Sequence, residues 1–169
     1  MLKDKVCDLI IQKAEETDYI INKVVEIHLA SFKGFFLTFM GRGFLRKMYS
    51  SYVQHDDSDL YIAVEDGSVI GFLACSKDMS SLYKFMIRKH IIAFAWYSAG
   101  AFFRKPKTFW KLVRALLKPS EAQRIDRYVK ISSIGVLPKV KGKGVGSKLI
   151  ETIKNAVDFS EYAYIALET

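Results

Sequence analysis

Apolar positions recur along this chain in two rhythms, and the switches between them mark out its elements. Residues 8–13 are β-rich and predict a first strand. Glu15, Glu16, Thr17 and Asp18 then supply acidic capping chemistry, and Ile20, Ile21, Val24, Val25, Ile27 and Leu29 supply the apolar faces of a helix. Residues 31–38 interrupt that pattern with Gly34 among aromatics and read as an ordered loop. A second helix is expected over about 39–54, its start weakened by Gly41 and Gly43. The polar run 55–59 ends it.

Residues 60–65 and 68–75 are β-rich runs on either side of Asp66-Gly67. Those two residue types tolerate the positive φ of a two-residue turn, so an antiparallel hairpin is predicted. Residues 80–117 are helical in composition and are expected to form two helices, broken around Gly100 and again at Pro106, with Pro119 as the stop. Residues 127–137 form another strand, halted by Pro138. Val145, Leu149, Ile150, Ile153 and Val157 share one helical face across 144–159, and residues 162–167 close the chain as a last strand. A strand, a crossover helix and a further strand imply a parallel pair, whereas the hairpin is antiparallel. The expected class is α/β: one domain over 1–169, a mixed and mostly antiparallel central sheet flanked by helices, with a helical insertion at about 79–120 before the fourth strand.

Composition narrows this picture. A chain of 169 residues that is 50% hydrophobic can bury one proper core, and its 14% aromatic content excludes a disordered class. Cys7 and Cys75 lie far apart in strand-like segments and are expected to be buried, reduced thiols of a cytosolic protein. Three scattered histidines make no metal set. The N-terminus has a short apolar stretch followed by charges, so no signal peptide is expected. The longest uncharged run, 90–103, falls short of the roughly 20 residues that span a bilayer. A cytoplasmic protein is expected, soluble or membrane-associated.

The net charge of +8 is not spread evenly. Between Asp78 and Glu121 there is no acidic residue, and nine lysines and arginines fall there, from Lys84 to Lys118. Nucleic-acid binding is disfavoured, because no recognised binding module accompanies the charge. The aromatic, basic segment 80–118 could cover an acceptor site, lie on an anionic membrane surface, or simply be a pair of packed helices with solvated lysines.

The sequence from Val136 reads VLPKVKGKGVGSKLI, with Gly142, Gly144 and Gly146 before or within the first turn of an amphipathic helix. Glycine lets a backbone turn its N–H groups inward, and the unpaired N–H groups of the helix start add to them. Such a nest suits a phosphate or pyrophosphate, with Lys141, Lys143 and Lys148 close by. A Walker A loop and a dinucleotide GxGxxG fingerprint both fail at Ser147, where each needs glycine.

What remains resembles the GNAT superfamily of N-acetyltransferases, whose acetyl-CoA loop reads [Arg/Gln]-x-x-Gly-x-[Gly/Ala]. Lys141 stands at its first position, Gly144 at its fourth and Gly146 at its sixth, with Lys departing from Arg or Gln. Element order from Asp8 to Thr169 is similar too. The resemblance implies the acyl-CoA N-acyltransferase fold, with acetyl-CoA as co-substrate and no metal. The acceptor would be a small-molecule, sugar or peptide amine. Its implied cofactor contacts are Ile134, Gly135, Val136, Lys141, Gly142, Lys143, Gly144, Val145, Gly146 and Ser147. Residues 131–136 would splay from their neighbour, so that Ile134 and Val136 pair with the pantetheine amides while an N–H near Val136 meets the developing oxyanion. An amine would then attack directly in a ternary complex.

No catalytic side chain follows from the sequence. In the superfamily the acid is often a tyrosine on a helix after the fifth strand, and this chain stops at Thr169, so weakened activity is expected of residues 1–169 alone. A non-catalytic acyl-CoA-binding or interaction module of the same fold is the rival reading, and a homodimer stays open. Glu168 is a candidate base through a water, or a solvated strand end. Ser132 and Ser133 alternate faces, so one of them is a candidate for the cleft. His28 reads as helix packing, His55 as a solvated turn residue, and His90 has no visible partner. The loop between the first two helices lines the acceptor site in the superfamily, so Phe32, Phe35 and Phe36 are either its apolar wall or core anchors.

Overall fold

The computed structural model describes residues 9–104, 106 and 127–167. Its strands are β1 (Ile10–Lys13), β2 (Ser58–Glu65), β3 (Ser68–Ser76), β4 (Tyr128–Val136) and β5 (Tyr164–Leu167). Its helices are α1 (Asp18–Ser31), α2 (Phe36–Met40), α3 (Arg42–Gln54), α4 (Met79–Arg104) and α5 (Val145–Ala156). The strands lie side by side in chain order in one sheet. The first three pairings are antiparallel and β4–β5 is parallel, as the α5 crossover requires. This is the mixed sheet flanked by helices that the pattern predicts.

Local chemistry explains the elements that match. Thr17 caps α1, its Oγ1 accepting from the Ile20 N–H at 3.2 Å. The hairpin turns where expected, with Asp66 at φ 48° and Gly67 at φ 72°. Alternation then sorts the sheet into two faces. Leu60, Ile62, Phe72 and Ala74 pack with α1 and α3, while Tyr61, Leu73, Cys75, Val129 and Ile131 pack with α5. On α5, Val145, Leu149 and Ile153 are buried at one-turn spacing, each contributing roughly 1.5–3 kcal/mol. Cys75 is buried in β3 as expected, and burial pushes its thiol up to about 12. Cys7 lies outside the described residues.

Three expectations change. The helix predicted over 39–54 is two helices that meet at Gly41, whose φ of 92° interrupts the helical ladder, and α2 starts inside the expected loop. The inserted helix runs straight through Gly100 and is kinked at His90 instead (φ −128°, ψ 18°). One glycine costs a helix only about 1 kcal/mol, and the inner face of α4 offsets this by packing Phe94 on Phe44 of α3. The expected helix beyond Pro106 lies outside the described residues. The last strand starts at Tyr164 rather than 162, because Tyr162 is buried as a loop residue against the α5 face of the sheet.

Candidate functional site

β4 is paired along only one of its two edges for much of its length. β3 covers one edge from Lys130 to Val136, whereas β5 covers the other only from Tyr128 to Ile131. Among the described residues, that second edge is open from Ser132 to Val136. The register passes from Ala74↔Ser133 to Cys75↔Ile131, so Ser132 is an extra residue and forms a bulge. A bulge bends its strand and increases the local twist. Beyond it, the Leu137 N–H donates to the Ile70 C=O of β3 at 2.8 Å. Antiparallel residues alternate toward and away from their partner, so Gly135 turns toward β3 while Ile134 and Val136 turn their N–H and C=O groups to the open edge.

Such groups require partners, and a ligand carrying amides can supply them as an added strand would. One is already engaged, since Ser31 Oγ donates to the Val136 C=O at 3.1 Å. A carbonyl oxygen has two lone pairs, which leaves room for a second donor. Gly135 is required by close approach: a Cβ there would lie 2.7 Å from Phe72 and 3.3 Å from Phe32.

The chain then turns through residues 138–140, with Val140 buried, into the glycine loop. Gly142 (φ 85°) and Gly144 (φ 78°) are left-handed, and nothing lies within 4 Å of where either Cβ would be. Backbone conformation, not space, requires glycine at these two positions. Gly144 caps α5 without a side-chain bond, and the Lys148 N–H donates to its C=O at 3.0 Å. The N–H groups of Val145, Gly146 and Ser147 therefore have no acceptor within the helix and sit at its positive end.

The Val145 side chain is buried and pins the loop to the sheet: a Cβ on Gly71 of β3 would lie 3.1 Å from Val145 Cγ1. A Cβ on Gly146 would lie 3.9 Å from Val136 Cγ2. The loop and the open edge of β4 are thus one continuous surface, rimmed by exposed Lys141, Lys143, Ser147 and Lys148. All ten residues expected to hold a cofactor meet here, Val145 through its backbone alone. The shape is an open notch. Two concavities of the described chain lie elsewhere, one beside Lys13, Asp59 and Cys75, another between α1 and α3 beside Tyr97.

Behind β4 runs a buried polar chain that sequence reasoning missed. His28 Nδ1 lies 2.7 Å from Tyr49 Oη, and the Ser133 hydroxyl stands beside Tyr49 and partly opposes the effect of burial on its phenol. One turn along α3, Tyr52 stands beside Ser132, whose Oγ donates to Met79 Sδ at 3.4 Å. Burial holds both phenols well above their ordinary range and pulls His28 down to about 4. The imidazole is therefore neutral at pH 7. The expected alternation of the two serines does not occur, because the bulge brings both against the tyrosines of α3. Neither is left to face the notch. The only trace in the sequence is Tyr49 and Tyr52 at helical i, i+3 spacing, and nothing links them to two adjacent serines so distant along the chain.

Other candidates are redistributed. His55 is not a solvated turn residue. It is half-buried, with Nδ1 3.0 Å from Ser58 Oγ, Nε2 3.1 Å from Ser81 Oγ, and its ring against Phe85. It fastens the end of α3 to β2 and α4. His90, expected without a partner, sets its ring edge-on to Phe94 at 5.9 Å. Phe32 packs on His28 at 4.7 Å and overlooks Gly135, whereas Phe35 is 61% exposed and meets Phe32 edge-on. The Phe36 side chain and Glu168 lie outside the described residues. Among the described residues no cluster of metal-ligating side chains occurs.

This geometry has counterparts. A sequence model described as the acetyltransferase (GNAT) family matches residues 21–169. A GNAT family acetyltransferase from Staphylococcus aureus is 13% identical, with 95% of this chain and 86% of that one covered, at a TM-score of 0.57. An aminoglycoside N-acetyltransferase solved in complex with CoA is 15% identical, covering 99% of this chain and 81% of that one, at a TM-score of 0.60. A ribosomal-protein-alanine N-acetyltransferase from Brucella melitensis is 12% identical, covering 96% and 80%, at a TM-score of 0.53. At these identities the likeness is one of fold. No curated relative matches the chain.

Proposed function

This chain belongs to the acetyltransferase (GNAT) family and is an acyltransferase, and from that premise we propose that it moves an acetyl group from acetyl-CoA to a primary amine in a ternary complex. The observation that carries the reading is the continuity of the open β4 edge with the glycine loop at the start of α5. The loop would hold the pyrophosphate on the N–H groups of residues 144–147, with Lys141, Lys143 and Lys148 supplying counter-charge. Ile134 and Val136 would pair with the amides of the pantetheine arm.

Acetyl-CoA supplies a thioester, and the chain's part is to position it. The acceptor amine loses a proton, its lone pair forms the C–N bond, the C–S bond breaks, and the thiolate leaves to take up a proton. A backbone N–H near Val136 would meet the oxyanion that develops. Burial and the bond to Tyr49 take His28 out of contention as the base. The acceptor would lie against Phe32 and exposed Phe35, which favours a small-molecule, sugar or peptide amine. The acceptors in the names of the structural neighbours, an aminoglycoside and a ribosomal-protein alanine, fall in those classes. A buried Cys75 thiol fits a reducing compartment, and we place the protein in the cytoplasm.

Isothermal calorimetry with acetyl-CoA tests the cofactor, and release of free CoA thiol across a panel of amines tests the transfer. Absence of binding heat would remove the reading altogether. Binding without thiol release would reduce it to a CoA-binding module.

A further inference from the structure

Helix α4 has a second apolar side that its packing does not use. Its first half buries Leu82 and Met86 in the core. Its second half sets Phe94 on Phe44 and brings Tyr97 so close to α3 that a Cβ on Gly43 would collide with the ring. Helical spacing puts Ile92, Ala95, Trp96 and Ala99 on the opposite side, and all four are exposed, Ile92 at 82% and Trp96 at 77%. Ile87 and Ile91, one turn apart, extend this surface toward the start of the helix at 55% and 58% exposure. A surface helix is ordinarily polar opposite its packed face. This one carries no charge from His90 to Phe103. Contiguous exposed apolar surface of this kind marks an interaction site.

The charges around it select the partner. Lys84, Arg88 and Lys89 are exposed on the first half of the helix. In sequence, Arg104 ends the helix, Lys105 and Lys107 follow it, and no acidic residue occurs between Asp78 and Glu121. A second copy laid on this face would bring cations against cations with no counter-charge from the same segment. Anionic headgroups supply that counter-charge, and the acyl boundary beneath them takes isoleucine and tryptophan side chains. No helix among the described residues is long and apolar enough to cross a membrane, so α4 would lie in the plane of the surface.

We propose that the outward face of α4 docks the protein on an anionic lipid surface, with Ile92 and Trp96 inserted and Lys84, Arg88 and Lys89 at the headgroups. α4 packs with α3 on one side of the sheet, whereas α5 covers the other side. Docking therefore leaves the notch accessible. The proposal is independent of which amine is acetylated.

Co-sedimentation of the whole chain with phosphatidylcholine vesicles, with and without about 30 mol% phosphatidylserine, tests it. The wild-type chain is expected to pellet at least about tenfold more with the anionic vesicles, and added salt should weaken the association. The double substitution Ile92→Asp, Trp96→Asp should abolish pelleting. Lys84→Gln, Arg88→Gln, Lys89→Gln should lower it by about tenfold or more while leaving any binding to neutral vesicles unchanged. Circular dichroism melts check that both variants fold. Equal pelleting of wild type and the Asp variant overturns the proposal, as does equal binding to neutral and anionic vesicles. So does a wild-type dimer in light scattering that the Asp variant dissolves without any vesicle binding, which would give the face to a second copy. A monomer that binds neither vesicle would mean that the rest of the chain covers the face, and equally ends the proposal.

Discussion

Two helices in this protein keep lysines beside apolar residues, in opposite arrangements. On α5 the apolar face is buried and the lysines surround a first turn whose backbone N–H groups are unused within the helix. On α4 the cations stand beside isoleucines and a tryptophan that remain exposed. Charge next to fixed amides is directional, because each N–H has one line along which it can donate, so the α5 end suits a single small anionic ligand. Charge next to exposed side chains has no such direction and suits a surface. Basic character alone therefore says little about a partner; its neighbours decide.

The comparison is broken most sharply at Gly144. A β-branched side chain at φ 78° carries about 1–2 kcal/mol of strain. Relieving that strain turns the amides of the first helical turn. Gly144→Val is expected to weaken acetyl-CoA binding about thirtyfold in calorimetry, the equivalent of about 2 kcal/mol, with vesicle association unchanged. Affinity retained within about threefold would mean that the loop's backbone geometry does not define the site.

Replacing Lys141, Lys143 and Lys148 together by glutamine should be milder. Exposed charges at a helix end contribute about 0.3–1 kcal/mol each and are screened by salt. Affinity for acetyl-CoA should fall by about fivefold to tenfold at low ionic strength, and by less as salt is added. A salt-independent loss would point to contacts other than charge.

A separate effect reaches behind the notch, on stability and not on binding. His28 is held neutral in the fold, down at about 4, against about 6.5 for an exposed histidine. Its folded value lies below its unfolded one, so the unfolded state takes up the extra proton. Stability should be level above about pH 6.5 and should fall as the pH drops from there toward 4. Denaturant midpoints at several pH values would show this, and His28→Gln should flatten the dependence in that window. Parallel slopes for the two proteins would remove His28 as its source.

Much of the site was legible because its determinants are local. Gly142 and Gly144 are needed for their own backbone angles, and the face formed by Val145, Leu149 and Ile153 is visible from spacing alone. The hairpin likewise follows from Asp66-Gly67 and its flanking runs. The misreadings have the opposite character. Alternation assigned Ser132 and Ser133 to different faces, and a bulge against β3 overrode it. Gly100 looked like the weak point of the inserted helix, yet packing of Phe94 on α3 carries the helix through it. His55 looked solvated because its neighbours in sequence are acidic, but its partners Ser81 and Phe85 come from α4.

By itself the sequence determined most of the strand and helix segments, where a glycine-rich loop opens the last helix, and that basic charge is concentrated before the fourth strand. Those properties depend on residues a few positions apart, whose conformations are limited by sterics and by helical or strand periodicity. Only the tertiary structure decided that, among the described residues, β4 is open on one edge beyond Ile131, that His28 meets Tyr49 behind it, and that α4 keeps Ile92 and Trp96 in the open. Each of these is set by which surfaces meet, and chain segments far apart in sequence meet only when packing satisfies the whole core at once.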